Sequence, residues 1–279
     1  MTIRRIAQIS DLHLLSFQED GVTPRACSRA RFVSLGRAID PAGRASRALS
    51  SILRARKQGA EHFVFSGDLT ELGLPSEFEV LAALFEAADL SSDEVTLVPG
   101  NHDRYAAPDD WAAALAGPLA PWARSSPAAT NADATVVDLG SIRLLPIDVT
   151  RPQSVIRSAG VLTIDTLESV ARRLADSAFR RVPTAIVQHH PPFSLPPVVH
   201  FIDGLLGCER LTEVVERYDA TQVLFGHLHR HVDRGDSAGL PRWLGAASVT
   251  EDPAAYRLYD VTPSGLAPVP TDRGLAVAA

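Results

Sequence analysis

The sequence predicts one α/β domain spanning residues 1–279. Three observations lead there. Apolar runs of strand length alternate with stretches of helical periodicity along the chain. Most of those runs end abruptly in Gly, Pro or an acidic turn that carries ligand-type side chains. No linker, internal repeat or low-complexity segment marks a second unit.

Composition narrows the class of protein before any motif is read. The hydrophobic fraction of 46% and the charged fraction of 22% suit a globular chain with a sizeable core. A net charge of −6 argues against stable nucleic-acid binding, which calls for a basic face. It leaves a small phosphorylated substrate open, because bound metal would supply positive charge locally. Cys27 and Cys208 are too few for a disulfide framework and fit a reducing compartment. The N-terminal residues lack a signal-peptide core, and no stretch reaches the ~20 apolar residues of a membrane span. A cytoplasmic protein without a membrane partner is therefore expected, with oligomerisation left open.

In chain order, Ile3 to Ile9 reads as a buried strand that delivers Asp11 and His13 at its end. Alone, Asp11 is equally a turn carboxylate and His13 a surface histidine. Residues 16–40 read as a loop then a helix, and Ala45 to Ala55 as a helix turning Leu49, Ile52 and Leu53 inward. Glu61 to Phe65 is the second strand, with a structural His62, and it ends in Ser66-Gly67-Asp68. Ser76-Glu77-Phe78-Glu79 reads as a capping box opening a helix with Val80, Leu81, Leu84 and Phe85 on its apolar side. Val95 to Val98 is the third strand, ending in Pro99-Gly100-Asn101-His102-Asp103.

Residues 105–130, with Trp111 and Trp122, read as a packed helical excursion, a lid over the site being the alternative. Thr135–Leu139 and Ile142–Ile147 form a hairpin about Gly140-Ser141. An amphipathic helix from Thr163 to Leu174 precedes the strand Thr184–Val187, which ends in Gln188-His189-His190-Pro191-Pro192. Residues 193–207 are a second lid candidate and contain His200 and Phe201, placed to meet a leaving group or solvent. A helix from Cys208 to Tyr218 and a strand from Thr221 to Phe225 lead to Gly226-His227-Leu228-His229. Short strands close the chain.

Read as the end of a strand, His227 and His229 share a face, since side chains at i and i+2 do. Gly226 lets that turn lie close to a neighbour. Five strand ends together offer Asp11, His13, Asp68, Asn101, His189, His227 and His229 as donors. Carboxylate, amide and imidazole donors without cysteine select ions such as Mn, Fe or Zn. Seven donors exceed the needs of one tetrahedral zinc and suit two ions sharing a carboxylate. Two ions roughly 3.5–4 Å apart turn a bridging water into a nucleophile and clamp phosphate oxygens for in-line displacement.

Asp11-x-His13, Gly67-Asp68, Gly100-Asn101-His102-Asp103, His189 ahead of Pro191, and Gly226-His227-x-His229 resemble the signature of calcineurin-like metallophosphoesterases. The resemblance covers residues 11–229. It implies a four-layer αββα sandwich of two mixed β-sheets flanked by helices, with a two-metal centre on one edge. It implies that Asp11, His13 and His229 hold one ion, that Asn101, His189 and His227 hold the other, and that Asp68 bridges both. His102 would lie beside the phosphate as the catalytic imidazole, oriented by Asp103, and Asn101 and His102 would also touch substrate. The pattern places the ligand two residues before the first proline, which selects His189 over His190.

Within the family, the motif forms look like bacterial class III cyclic nucleotide phosphodiesterases and glycerophosphodiesterases. Hydrolysis of a phosphodiester by a water-derived hydroxide is the expected activity. A phosphomonoesterase or nucleotidase is the alternative, with Arg104 and Arg230 as sources of charge for a dianion. A metal-stabilised interaction module without turnover is the reading from another class, and the presence of His102 speaks against it. Specificity is expected to reside in residues 14–45, 105–130 and 193–207.

Overall fold

A computed structural model of the chain describes residues 2–17, 24–105, 110–127, 135–153 and 155–270. The strands are β1 (Arg5–Ile9), β2 (His62–Ser66), β3 (Val95–Val98), β4 (Val137–Asp138), β5 (Arg143–Pro146), β6 (Gly160–Val161) and β7 (Thr184–Val187). They continue with β8 (Leu205–Leu206), β9 (Thr221–Phe225), β10 (Val232–Arg234), β11 (Trp243–Gly245), β12 (Arg257–Thr262) and β13 (Gly265–Pro268). The helices are α1 (Pro24–Val33), α2 (Pro41–Lys57), α3 (Pro75–Ala87), α4 (Asp110–Ala116), α5 (Ile164–Ala175), α6 (Pro197–Asp203) and α7 (Cys208–Val215).

Two mixed sheets pack face to face, in strand orders β13-β12-β1-β2-β3 and β10-β11-β9-β7-β5-β4. Between them, Ile6, Val64 and Val98 meet Leu144, Ala185, Val187 and Leu224. The outer face of the first sheet lays Ala7, Ile9, Phe63 and Phe65 against Ile52, Leu81, Phe85 and Trp111 of α2, α3 and α4. The outer face of the second lays Leu145, Ile186 and Val223 against Val170, Leu174 and Leu211 of α5 and α7. Each fully buried Phe or Leu contributes roughly 1.5–3 kcal/mol. Because both faces are covered, His62 to Ser66 is buried at every position and reads as an unbroken run rather than an alternating one. The result is the expected four-layer αββα sandwich.

Several local expectations shift. Leu53 is 47% exposed, and α2 instead buries Arg44, Ala48, Ser51, Ile52 and Ala55. Helix α3 starts at Pro75, whose fixed φ and missing N–H suit a first helical position, so Ser76 caps nothing. Glu77 supplies the cap by accepting from the N–H groups of Leu72 at 2.9 Å and Leu74 at 3.1 Å. The hairpin forms as expected, pairing Val137 with Leu144 about Gly140 and Ser141. Trp111 and Trp122 belong to the core, their rings 5.9 and 5.2 Å from those of Phe78 and Phe85. Within residues 105–130, Trp111, Ala114, Leu119 and Trp122 pack into the core, whereas 106–109 and 128–130 lie outside the described residues. Cys208 is a free buried thiol, and the side chain of Cys27 lies outside the described set.

His62 is structural and carries a pH dependence. Its Nε2 bonds Thr96 Oγ1 at 2.8 Å and its Nδ1 the Asp93 carbonyl at 3.1 Å. Burial pushes its pKa down to about 4. Below the unfolded value of ~6.5 the unfolded chain takes up a proton that the folded one refuses, so stability falls as pH drops towards 4, by about 3 kcal/mol in all. Urea midpoints at pH 7.5 and pH 5 should therefore differ more in the wild type than in His62→Gln. Equal pH sensitivity in both would contradict this account.

Candidate metal centre

The sheet topology puts the motifs together. Strands β1, β2 and β3 run parallel in adjacent positions, as do β5, β7, β9 and β11, so their C-terminal ends collect on one edge. That edge is where open α/β sheets place ligand-binding groups. Asp11 and His13 follow β1, Asp68 follows β2, Asn101 and His102 follow β3, His189 follows β7, and His227 and His229 follow β9. The loops of the two sheets interleave tightly. A Cβ on Gly226 would sit 1.9 Å from Ser10 Oγ, and one on Gly67 would sit 2.4 Å from His189 Nδ1.

The side chains form two adjoining groups. Asp11, His13 and His229 make one, and Asp68, His189 and His227 the other. Asp68 Oδ2 lies 3.2 Å from His189 Nε2 and 3.9 Å from His13 Nε2, between the two groups. Asn101 is buried beside it, with Nδ2 donating to the Tyr105 hydroxyl at 2.8 Å and Oδ1 without a hydrogen-bond partner. His227 and His229 do not share a strand face. Asp11, His13, Asp68, His227 and His229 all have positive φ, from 47° to 68°, so the chain has left the strand where they stand. Asp and His are among the residues that tolerate this best. The consequence is that His227 and His229 serve different groups.

Tautomers show what the groups are built to hold. His229 Nδ1 lies 2.8 Å from Glu251 Oε1 and His13 Nδ1 lies 3.2 Å from Glu71 Oε2. His189 Nδ1 and His227 Nε2 each lie 2.8 Å from a carbonyl, of Ser66 and Asp203 respectively. Carboxylate and carbonyl oxygens accept, so the outer nitrogens of His229, His189 and His227 carry protons, whereas His13 Nδ1 lies near Glu71 without a hydrogen bond. The inner nitrogens face each other, His13 Nε2 and His229 Nε2 at 3.2 Å, His227 Nδ1 and His189 Nε2 at 3.3 Å. Each pair is satisfied by a proton shared between its nitrogens or by a cation that displaces that proton. Outer acceptors that orient ligating imidazoles in this way are the usual support of a metal site.

The buried carboxylates favour positive charge at both groups. Burial works against a charged His189, but Asp68 and Asp11 outweigh it and lift the pKa to about 9. Asp11 does the same for His229, also to about 9. Burial, with Arg37 nearby, holds His13 down at about 3, which keeps it a neutral ligand. Among the described residues Asp11 and Asp68, both buried, form ion pairs with histidines alone. The donor set, the orphaned Asn101 Oδ1 and the facing nitrogen pairs fit two divalent cations.

Two roles differ from expectation. Asp103 does not touch the His102 ring. Its Oδ1 accepts from Thr70 N and Thr70 Oγ1 at 2.8 and 2.7 Å, and its Oδ2 from Gly100 N and Leu69 N at 2.7 and 3.2 Å. A carboxylate saturated by loop donors pins the Asp68 and Asn101 loops together and has nothing left for an imidazole. His102 is oriented by the Glu71 carbonyl, which accepts from its Nδ1 at 2.8 Å and leaves Nε2 towards Asp68 Oδ2, 3.9 Å away.

Glu71 escaped the sequence reading. Its buried carboxylate meets His13, accepts from Arg44 at 2.6 Å and Arg37 at 3.2 Å, and accepts from Ser34 at 2.8 Å. Arg44 also donates to the His13 carbonyl at 2.7 Å, which holds the ligand loop from α2. Three residues after Asp68, Glu71 looks like any turn acid in sequence. Asp203 and Glu251 carried no local signal either.

A cavity of about 480 Å³ opens over the two groups. Asp68, Asn101, His102, Tyr105, His227 and His229 lie among its lining, with Arg37, Asp203 and Glu251 beside them. Neither Arg104 nor Arg230 is part of that lining; Arg104 is paired with Asp148, and Arg230 is exposed. From residues 193–207, Asp203 reaches the cavity, whereas His200 accepts from Leu195 N and Phe201 lies under the Arg157 guanidinium at 4.3 Å. His190 is buried behind the site, bonded to the Ser158 carbonyl, so His189 is the residue that faces the carboxylates.

The chain belongs to the calcineurin-like phosphoesterase family, whose sequence profile matches residues 4–231. It is 30% identical over 183 residues to the glycerophosphodiester phosphodiesterase GpdQ of Enterobacter lignolyticus, covering 64% of this chain and 59% of that protein. It is 26% identical over 206 residues to a probable cyclic nucleotide phosphodiesterase of Rhodococcus erythropolis, covering 73% of this chain and 62% of that one. The chain thus spans about three fifths of the length of these relatives. In fold it is similar to a dimetal phosphatase from Danio rerio, with a TM-score of 0.67 at 16% identity over 94% of this chain and 93% of that one. No helix among the described residues is long and apolar enough to cross a membrane.

Proposed function

We propose that the protein hydrolyses small phosphodiesters, such as a cyclic nucleotide or a glycerophosphodiester, with two divalent ions drawn from Mn, Fe or Zn. Asp11, His13 and His229 would hold one, Asn101, His189 and His227 the other, and Asp68 would bridge them. The observation that carries this reading is the pair of facing imidazole nitrogens in each group, with Asp68 Oδ2 between. When bound, the ions supply Lewis acidity and an activated water.

The chain's own residues do the rest. Glu71, Glu251 and the carbonyls of Ser66 and Asp203 fix the ligand rings, so little reorganisation accompanies the reaction. His102, held at Nδ1, presents Nε2 to the cavity, where it can give a proton to the departing oxygen. Tyr105 turns the Asn101 amide so that its oxygen is free to act as a donor atom. A diester is favoured over a monoester because, among the described residues, Arg37 is the sole arginine or lysine lining the cavity and is already tied to Glu71.

Chelation should abolish hydrolysis of an aryl phosphodiester, and Mn or a similar ion should restore it. On a panel of a cyclic nucleotide, a glycerophosphodiester and a monoester, the diesters should show the higher kcat/KM. Full activity in the demetallated protein would overturn the metal reading, and a clear monoester preference would overturn the diester one.

A further inference from the structure

The cavity has two chemically different halves. Around Asp68 its lining is carboxylate, amide, imidazole and phenol. Its lining also includes Phe32 and Val33 of α1, Leu35 just beyond that helix, and Val155 and Ile156, none of which has a polar side-chain atom, beside Arg37, Ser158, Asp203 and Glu251. Phe32, Leu35 and Ile156 are 56%, 83% and 76% exposed. Leu35 is the most telling of them. It has φ of 47°, a left-handed backbone that a bulky side chain adopts at a cost, and Gly36 beside it has φ of 90°. Glycine or asparagine would fill position 35 with less strain, yet the chain holds a leucine there, in water, at the rim of the site. A cavity of about 480 Å³ is also larger than a phosphate requires and lies within the range of sites for whole organic molecules.

We propose that this apolar part of the lining is a subsite for an uncharged, apolar substituent of the phosphodiester, aromatic or aliphatic, and that preferred substrates carry one. The inference rests on the phosphodiesterase reading and narrows it. A glycerol or charged headgroup set against Phe32, Leu35 and Ile156 would leave water without gaining a hydrogen bond from them. An apolar group would bury itself together with Phe32, Leu35 and Ile156, which removes exposed apolar surface from both partners.

The test is a series of alkyl 4-nitrophenyl phosphates, with methyl, butyl and hexyl groups and a glyceryl member, on the Mn-loaded protein. In the wild type kcat/KM should rise from methyl to hexyl by about two- to fourfold for each methylene that leaves water. The glyceryl ester should stay near the methyl one. Ile156→Ser and Leu35→Gly should flatten the series while leaving the methyl ester unchanged. Leu35→Gly also relieves the backbone, so misfolding does not obscure its result. A flat wild-type series, a glyceryl preference, or a slope that survives both variants overturns the subsite. So does a flat series accompanied by a concentration-dependent mass, which would mean that a second copy covers this apolar lining. If no member is hydrolysed, the phosphodiesterase reading falls by itself. Calorimetry with methyl- and hexylphosphonate then decides the subsite, equal affinities overturning it.

Discussion

Asp68→Asn should cost more activity than any other single change, because one carboxylate lies between both ligand groups. The substitution keeps the shape and retains an acceptor for the His102 N–H, which Asp68 Oδ1 now binds at 2.9 Å. It removes the negative charge that lies between His13 and His189. Two divalent ions held close together repel, and a neutral amide does not offset that repulsion. Losing several kcal/mol of transition-state stabilisation corresponds to a rate loss of ~1,000-fold or more. Elemental analysis should find metal depleted at both sites in Asp68→Asn, whereas Asn101→Ala should empty mainly one. Two tightly held ions in Asp68→Asn would refute the bridge.

His102→Ala should retain both ions and still lose ~100- to 10,000-fold in rate, the usual range for a lost general acid. The loss should depend on the leaving group. An alkyl alkoxide needs a proton as it departs and a nitrophenolate does not, so the alkyl diester should suffer far more. Equal losses on both would make His102 a phosphate-binding residue. Loss of metal would mean that His102 is a ligand, at odds with an Nε2 that stands 3.9 Å from Asp68 while Asn101 Oδ1 faces the site.

The layers and the motif positions could be read from the sequence because they depend on local signals. A buried strand such as β2 shows as an apolar run, and its end shows as Gly67-Asp68. Parallel neighbours then bring those ends to one edge without further information. What failed depended on distance in sequence. Asp103 stands next to His102 in the chain, and proximity suggested a pair, yet its partners are Thr70 and Leu69. Glu71 and Arg44 form a buried ion pair across 27 positions, and Glu251 reaches His229 across 22. No periodicity marks such contacts. The face-sharing of His227 and His229 failed for another reason: a positive φ at each takes both out of strand geometry.

Each proposed ion draws its ligands from both halves of the sandwich. Asp11 and His13 follow a strand of one sheet and His229 follows a strand of the other; Asp68 and Asn101 face His189 and His227 in the same way. Such ions would act as reversible cross-links, and folding would be coupled to them by mass action. Free metal at ~100 times its dissociation constant adds about 2.7 kcal/mol to the folded state. A melting temperature for this chain consequently reports the metal activity of its buffer as well as its sequence. Two variants differ in intrinsic stability only when they are compared at one fixed concentration of free ion.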